Sequence, residues 1–319
     1  MKAFRFAFAL FLVFSLPTLA EDFPSRPVRI VVPYTPSTGA DILSRLLGPK
    51  LGERWKVAVV TENKPGATGN IGAEFVAKSP PDGYTLLFVA TSFGTTPALQ
   101  KSLPYDPVKS FEPVALIATS GLVVVVNPQV PARSMKELID LAKREPGKLH
   151  YSSPGNGGPQ HLAMELVKLE TGMNIVHVPY KAAAGALTDV VGGHVDATVA
   201  AVQTAHPQVQ AGKLRALAVT TPKRVAAAPE VPTMIEAGLP NFEIVLYSGI
   251  LGPRGMDRAL VRRLNAEFAK AVESPEMKQV WQNLGADPIV MTPEAFEAAT
   301  TREIAKLGPV VKGSGAKLE

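Results

Sequence analysis

Strands and helices alternate along nearly the whole chain. This alternation predicts an α/β protein of two lobes, each a mostly parallel sheet flanked by helices. Three observations carry the prediction. β-Branched runs such as Val28-Arg29-Ile30-Val31-Val32 lead through a turn into apolar residues at helical spacing, here Ile42, Leu43, Leu46, Leu47 and Leu51. More such units follow than one compact sheet accommodates. Two extended apolar runs, around 114–126 and 243–251, are placed to cross between the halves. The expected division is 21–122 with 246–319 for one lobe and 123–245 for the other.

Each element has a local reason. Pro33 stops the first strand, and the turn from Tyr34 to Asp41 opens the first helix. A strand over 57–60 leads through Glu62-Asn63-Lys64-Pro65-Gly66 to a helix through Phe75 and Val76. Asp82-Gly83 turns the chain into a strand over 85–90, closed by Thr91-Ser92-Phe93-Gly94-Thr95. Two apolar runs follow, 114–118 and 122–126. Ser134-Met135-Lys136-Glu137 is a capping box for a helix to about 144, stopped by Pro146-Gly147. A strand over 149–152 then enters a glycine-rich loop and a helix to about 171. Strands near 175–178, 197–201, 214–220 and 244–251 follow, with a helix over 185–191. The C-terminal part reads as helical apart from Pro288-Ile289-Val290. Leu260, Leu264, Phe268 and Val272 share one helix face, and Thr292-Pro293 opens the last helix.

The 319 residues are 46% apolar and 19% charged, enough to supply cores for two domains. Residues 1–20 read as a secretory signal peptide: Lys2 and Arg5, an apolar run from Phe6 to Leu16, and a small-residue exit with cleavage after Ala20. An exported, periplasmic protein is expected. Without Lys2 and Arg5, 31 basic residues face 28 acidic ones, a net charge of +3 without a basic run, so nucleic-acid binding is not expected. The absence of cysteine excludes disulfides, thiolate metal sites and a cysteine nucleophile.

The chemistry-bearing stretch is Ser152-Ser153-Pro154-Gly155-Asn156-Gly157-Gly158-Pro159-Gln160-His161. A glycine-rich turn feeding a helix leaves backbone N–H groups and the positive dipole end free, which makes an anion seat. It fits neither a phosphate loop nor a dinucleotide turn, and as residues alone it also reads as a plain surface turn. The turn from Tyr34 to Asp41 has the same character in the other lobe. Ligands of open α/β sheets bind beyond the C-terminal ends of the strands, so the two turns are expected across one cleft. His150, His161, His177, His194 and His206 form no metal-binding motif and read as core or helix-end residues. Asp41 suits a helix start whatever the function, so its ligand role and its dipole role both stand. Ser153 with His161 leaves one catalytic alternative, a periplasmic hydrolase of carboxylic esters or amides.

The chain resembles the substrate-binding receptors of tripartite tricarboxylate transporters, the Bug family of periplasmic binding proteins. The resemblance rests on a series in order: Arg26-Pro27-Val28-Arg29-Ile30-Val31-Val32-Pro33-Tyr34, Glu62-Asn63-Lys64-Pro65-Gly66-Ala67, Gly69-Asn70-Ile71-Gly72, Pro81-Asp82-Gly83-Tyr84-Thr85-Leu86, Leu103-Pro104-Tyr105-Asp106-Pro107, His177-Val178-Pro179-Tyr180-Lys181, Gly212-Lys213-Leu214-Arg215-Ala216-Leu217-Ala218-Val219-Thr220 and Val231-Pro232-Thr233. It implies a type II Venus-flytrap receptor that is no enzyme, carries no cofactor or metal, acts as a monomer and passes a small carboxylate to membrane permease subunits. A signalling partner in place of the permease is the remaining alternative.

On that resemblance, Tyr34, Thr35, Ser37, Thr38, Gly39 and Asp41 hold one end of the ligand. Ser153, Gly155, Asn156, Gly157, Gly158 and His161 hold the other, with Thr91, Ser92, Tyr180, Gln203 and Tyr247 as cleft wall. The departures are specific. Ser37-Thr38-Gly39 replaces a run of glycines, Gly158 stands where Thr or Ser is common, Ala200-Ala201 where Asp-Asn is frequent, and Ser248 where Phe is. Polar groups of the second lobe are exchanged for apolar ones, so the expected ligand is a mono- or dicarboxylate with an aliphatic or aromatic body rather than an amino acid.

Overall fold

A computed structural model of the chain describes residues 23–36, 38–100, 102–284 and 286–314. The predicted leader and Ser37 lie outside the described residues. In the first lobe, β1 (Val28–Val32), β2 (Val59–Asn63), β3 (Thr85–Ala90), β4 (Phe111–Val126) and β9 (Val245–Pro253) form a sheet in the order β2-β1-β3-β9-β4, and β10 (Asp287–Met291) pairs with β4. In the second, β5 (His150–Ser153), β6 (Val176–Pro179) and β7 (Ala197–Ala201) continue from β4 in the order β4-β7-β5-β6, and β8 (Arg215–Val219) also pairs with β4.

The two apolar runs at 114–118 and 122–126 are one 16-residue strand. Its first part pairs with β9 and β10 and its second with β7 and β8, so the partners change around Thr119-Ser120-Gly121. That change is the crossing between lobes, and it sets where the loops lie. β3 and β4 both run antiparallel to β9, so β1 and β3 end at the level of Ser248 and Ala118, toward the second lobe. β7 runs antiparallel to β4 and ends at Leu122, and β5 is parallel to β7. The C-terminal ends of the strands in both lobes therefore face the junction.

The helices are α1 (Gly39–Trp55), α2 (Asn70–Ala77), α3 (Ser92–Leu99), α4 (Met135–Arg144), α5 (Pro159–Thr171), α6 (Ala183–Val191), α7 (Val202–Gln210), α8 (Arg258–Val272), α9 (Pro275–Leu284) and α10 (Pro293–Ser314). The capping box of α4 forms as its spacing requires: Glu137 N donates to Ser134 Oγ at 3.2 Å and Arg133 N to Glu137 Oε2 at 2.6 Å. The helices α3 and α7 do not follow from the sequence pattern. Both begin directly after a strand, are short, and contain a proline, Pro97 and Pro207, which weakens the helical signal.

Each lobe has its own buried core. One is built on Ile30, Leu47, Phe88, Ile117, Leu264 and Phe268, and the other on Leu122, Val124, Leu138, Leu162, Met164 and Phe242. The last helix belongs to both. Phe296 near the start of α10 packs with Val89, Phe93 and Leu251 of the first lobe, while Leu307, Val310 and Val311 sit in the core of the second. Lys306 Nζ adds bonds to the carbonyls of Asn241 at 2.6 Å and Glu243 at 3.2 Å. α10 is thus a strap across the junction, packed on both cores.

Candidate functional site

The first loop is short because Pro33 ends β1 and Thr38 already occupies the N-cap position of α1. The Thr38 hydroxyl donates to the Thr35 carbonyl at 2.9 Å and makes no cap bond to the first amides of the helix. A Cβ at Gly39 would meet no atom within 4 Å, so the helix start opens onto free space.

Asp41 lies beneath this opening, buried. Its Oδ1 accepts from Arg45 Nε at 3.0 Å and from Asn63 Nδ2 at 2.9 Å. Asn63 Nδ2 also donates to the Tyr34 carbonyl at 3.1 Å, and Arg45 Nη2 donates to Asn63 Oδ1 at 2.8 Å. These bonds tie loop, helix start and the end of β2 together, a bracing task for Asp41. The Tyr34 hydroxyl lies 2.9 Å from Ser92 Oγ and accepts from Ala90 N at 3.3 Å, joining the first loop to the start of α3. Burial pushes its phenol pKa up. Thr91 Oγ1 accepts from Tyr247 N at 2.9 Å, fixing the end of β3 to the crossing strand β9.

In the second loop, Gly155 (φ +143°) and Gly157 (φ +73°) take backbone conformations that side chains disfavour, and a Cβ at Gly157 would press on Leu99 Cδ2 of α3 at 2.8 Å. Gly158 is the N-cap of α5 and offers no side chain to its amides; Pro159 follows at the start of the helix. Asn156 is exposed at the loop tip. Ser153 is fully buried, its hydroxyl donating to the Gly155 carbonyl at 3.0 Å and lying 2.6 Å from His177 Nε2. His161, also buried, accepts the Gly157 N–H on Nδ1 at 3.0 Å.

This corrects the hydrolase alternative. Ser153 pairs with His177 and is closed off from solvent, while the Nδ1 of its supposed base His161 is occupied by the loop backbone. By sequence alone His177 reads only as a core or helix-end histidine. Its signal was the parallel register, which sets it beside Tyr151 and brings it next to the buried Ser153.

The wall residues divide. Thr91, Ser92 and Tyr34 form one connected set. Tyr180 is tied to the second loop through its N–H to the Ser153 carbonyl at 2.9 Å, but its hydroxyl is engaged by Asp189 of α6. The Tyr247 hydroxyl is buried without a hydrogen-bond partner among the described residues. It stands beside Gly94 and Glu303, whose carboxyl burial pushes up to about 8. Gln203 lines a separate cavity of about 440 Å³ beside the crossing, with Gly121, Val225, Trp281 and Pro288. Neither loop reaches that cavity. Among the described residues, no group of three His, Asp, Glu or Cys side chains is placed to hold a metal, and no helix is long and apolar enough to cross a membrane.

With no side-chain cap bond from the N-cap residue of α1 or α5, and no arginine or lysine in either loop, backbone amides are the donors on offer at both helix starts. Residues 43–316 match the family described as the tripartite tricarboxylate transporter family receptor. The chain belongs to this receptor family. Its members are solute receptors rather than enzymes. The receptor is similar to the protein BugT of Bordetella pertussis, 33% identical over 305 residues, 95% of this chain and 94% of the relative.

Three solved structures share the fold. An R. palustris protein, Rpa4515, with adipate has a TM-score of 0.73 at 35% identity, covering 93% of this chain and 100% of that one. MatC of Rhodopseudomonas palustris with bound malate has a TM-score of 0.69 at 28% identity, covering 91% and 100%. A TctC solute-binding protein from Polaromonas without ligand has a TM-score of 0.83 at 28% identity, covering 91% and 99%.

Proposed function

We propose that this receptor captures a small carboxylate between its lobes in the periplasm and delivers it to the permease subunits of a tripartite tricarboxylate transporter. The observation that carries the reading is the pair of helix starts, α1 at Thr38-Gly39 and α5 at Gly158, each lacking a side-chain cap and each following a strand that ends at the junction. Each seats one carboxylate on backbone amides and the helix dipole, with Thr35, Ser37 and Thr38 adding hydroxyls on one side and Gly155, Asn156 and Gly157 adding backbone on the other. Asp41, Ser153 and His161 act from beneath.

The lobes are 21–122 with most of 246–319, and 123–245, with α10 shared. The leader is removed after Ala20, and the mature chain is a monomer. Adipate and malate on similar proteins support a carboxylate ligand. The apolar substitutions Ala200, Ala201 and Gly158 favour a ligand with an aliphatic or aromatic body. At equal 28% identity the ligand-free relative superposes better than the malate-bound one, 0.83 against 0.69, which supports an open arrangement of the lobes here.

Calorimetry on the mature protein tests the reading. Alkyl or aryl dicarboxylates such as adipate are expected to bind one to one, and aspartate and glutamate more weakly. Gly39→Phe, whose Cβ would meet no atom within 4 Å, is expected to abolish binding at unchanged Tm. Tighter binding of the amino acids would reverse the ligand class, and unchanged affinity in Gly39→Phe would remove the first seat.

A further inference from the structure

Behind the second loop stands a file of buried and half-buried polar rings. His177 lies between Tyr151 and His161, with ring centroids at 4.8 and 4.1 Å and planes within 25° and 22° of parallel. The two ends of the loop hang on this file, Ser153 Oγ on His177 Nε2 and the Gly157 N–H on His161 Nδ1. We infer that His161 and His177 are positioning residues of the carboxylate seat: as neutral, stacked imidazoles they hold the loop in the shape that turns its amides outward, and they do not touch the ligand. The inference rests on the reading of this loop as a seat and adds how the seat is kept and what opens it.

The bonding at His161 fixes its proton. An Nδ1 that accepts an N–H is bare, so the ring carries its hydrogen on Nε2. The ionisable groups facing the file are Tyr151 on β5 and Glu165 and Lys168 on α5. Glu165 Oε1 accepts from the Tyr151 hydroxyl at 2.7 Å and from Lys168 Nζ at 2.6 Å, and it stays 3.9 Å from His161 Nε2. The carboxylate is thus already committed to a phenol and an ammonium. Burial lowers the pKa of both imidazoles, that of His177 to about 4, with the neighbouring ring adding to the effect at His177. Protonating His161 would convert Nδ1 from acceptor to donor against the Gly157 N–H. Two donors cannot share one bond, so the loop must let go.

Two measurements decide this, the first without any ligand. By NMR, the ligand-free protein at neutral pH should show a bare Nδ1 on His161 and a slowly exchanging Gly157 amide that is released as the pH falls. His161→Asn, whose Oδ1 stands in for Nδ1 but cannot take a proton, should keep the amide protected at both pH values. His161→Phe keeps a ring in the stack without an acceptor and should lose that protection. Calorimetry with adipate should then show affinity reduced about ten-fold in His161→Phe and kept in His161→Asn. For His177, Gln in place of Nε2 should keep the affinity and Phe should lower it. A protonated Nδ1 in the wild type, or equal Gly157 exchange in wild type and His161→Phe, overturns the inference. Failure of adipate to bind the wild type counts against the ligand class alone, and the exchange data still decide the role of the histidines.

Discussion

Under the first loop lies a charged clamp, Asp41 between Arg45 and Asn63; under the second lies the file of neutral rings, His161 and His177 on Tyr151. Both leave helix amides open, yet they reach that end with opposite electrostatics. The clamp places an ion pair, Asp41 with Arg45, beneath the start of α1, its carboxylate at the end that the helix dipole favours. The rings add no charge at neutral pH. The second loop therefore rests on uncharged rings, with the Glu165–Lys168 pair behind them, and the first directly on an ion pair.

The largest effect should come from the helix that packs on both lobes. Glu303 on the shared helix α10 is held neutral by burial next to Tyr247, with its pKa raised to about 8 from 4.5. An acid raised in this way leaves stability intact below its unfolded pKa and costs it as pH climbs toward 8, by ~1.4 kcal/mol per unit and ~5 kcal/mol at most. Chemical denaturation between pH 5 and 9 should show that decline, and Glu303→Gln should flatten it. Because α10 packs on both lobes, amides of both loops should lose protection together. A decline confined to one loop would mean that the strap does not couple them.

Asp41→Ala comes next. It deletes a buried acceptor used by Arg45 and Asn63, at a cost of ~2–3 kcal/mol. It should loosen 34–41 in hydrogen exchange and leave 153–158 unchanged. Equal loosening of both loops would erase the contrast drawn here.

The pH response separates the two regions further. His177 has a folded pKa of about 4, below its ordinary 6.5, so the unfolded chain takes up a proton first as pH falls. The stability that the neutral ring provides is complete above 6.5 and is lost from there down to about 4. Tm should fall over that window in the wild type and less in His177→Gln. The histidine rings lie under the second loop, so amides of 153–158 should lose protection over that window before those of 34–41.

The fold was legible where burial and periodicity agree. The runs 28–32, 85–90 and 122–126 are strands in which apolar residues are mostly buried on both faces of a covered sheet, and Ser134 with Glu137 opens α4 as the capping box requires. The helices α3 and α7 were hidden by Pro97 and Pro207, and the continuity of β4 by the polar residues at its crossing. At the site, both loops stood out through glycine and the strand-to-helix change. What holds them did not. Arg45, Asn63 and His177 reach their partners through parallel strand register and helix spacing, and Glu303 reaches Tyr247 only through the packing of a helix more than fifty residues further along. The bond of His161 to the Gly157 N–H was hidden in the same way, since both residues are visible in sequence but the direction of Nδ1 is not.

The finest test of the contrast is Gly158→Ser. The backbone at Gly158 is extended (φ −73°), and a Cβ there would find its nearest neighbours at 3.8 and 3.9 Å, Gln160 Oε1 and the Gly155 carbonyl, so the side chain fits without strain. A serine at this N-cap can accept from an amide of the first turn of α5, which adds only a few tenths of a kcal/mol over glycine. Tm should hardly move, and the sign for binding separates two accounts of the seat. If the ligand carboxylate uses the amides directly, the hydroxyl competes with it and adipate binds more weakly. A stronger grip would instead mean that the hydroxyl donates to the carboxylate, and that the second seat is short of donors. The uncapped start of α5 favours the first outcome, because its amides are the donors left for an anion there.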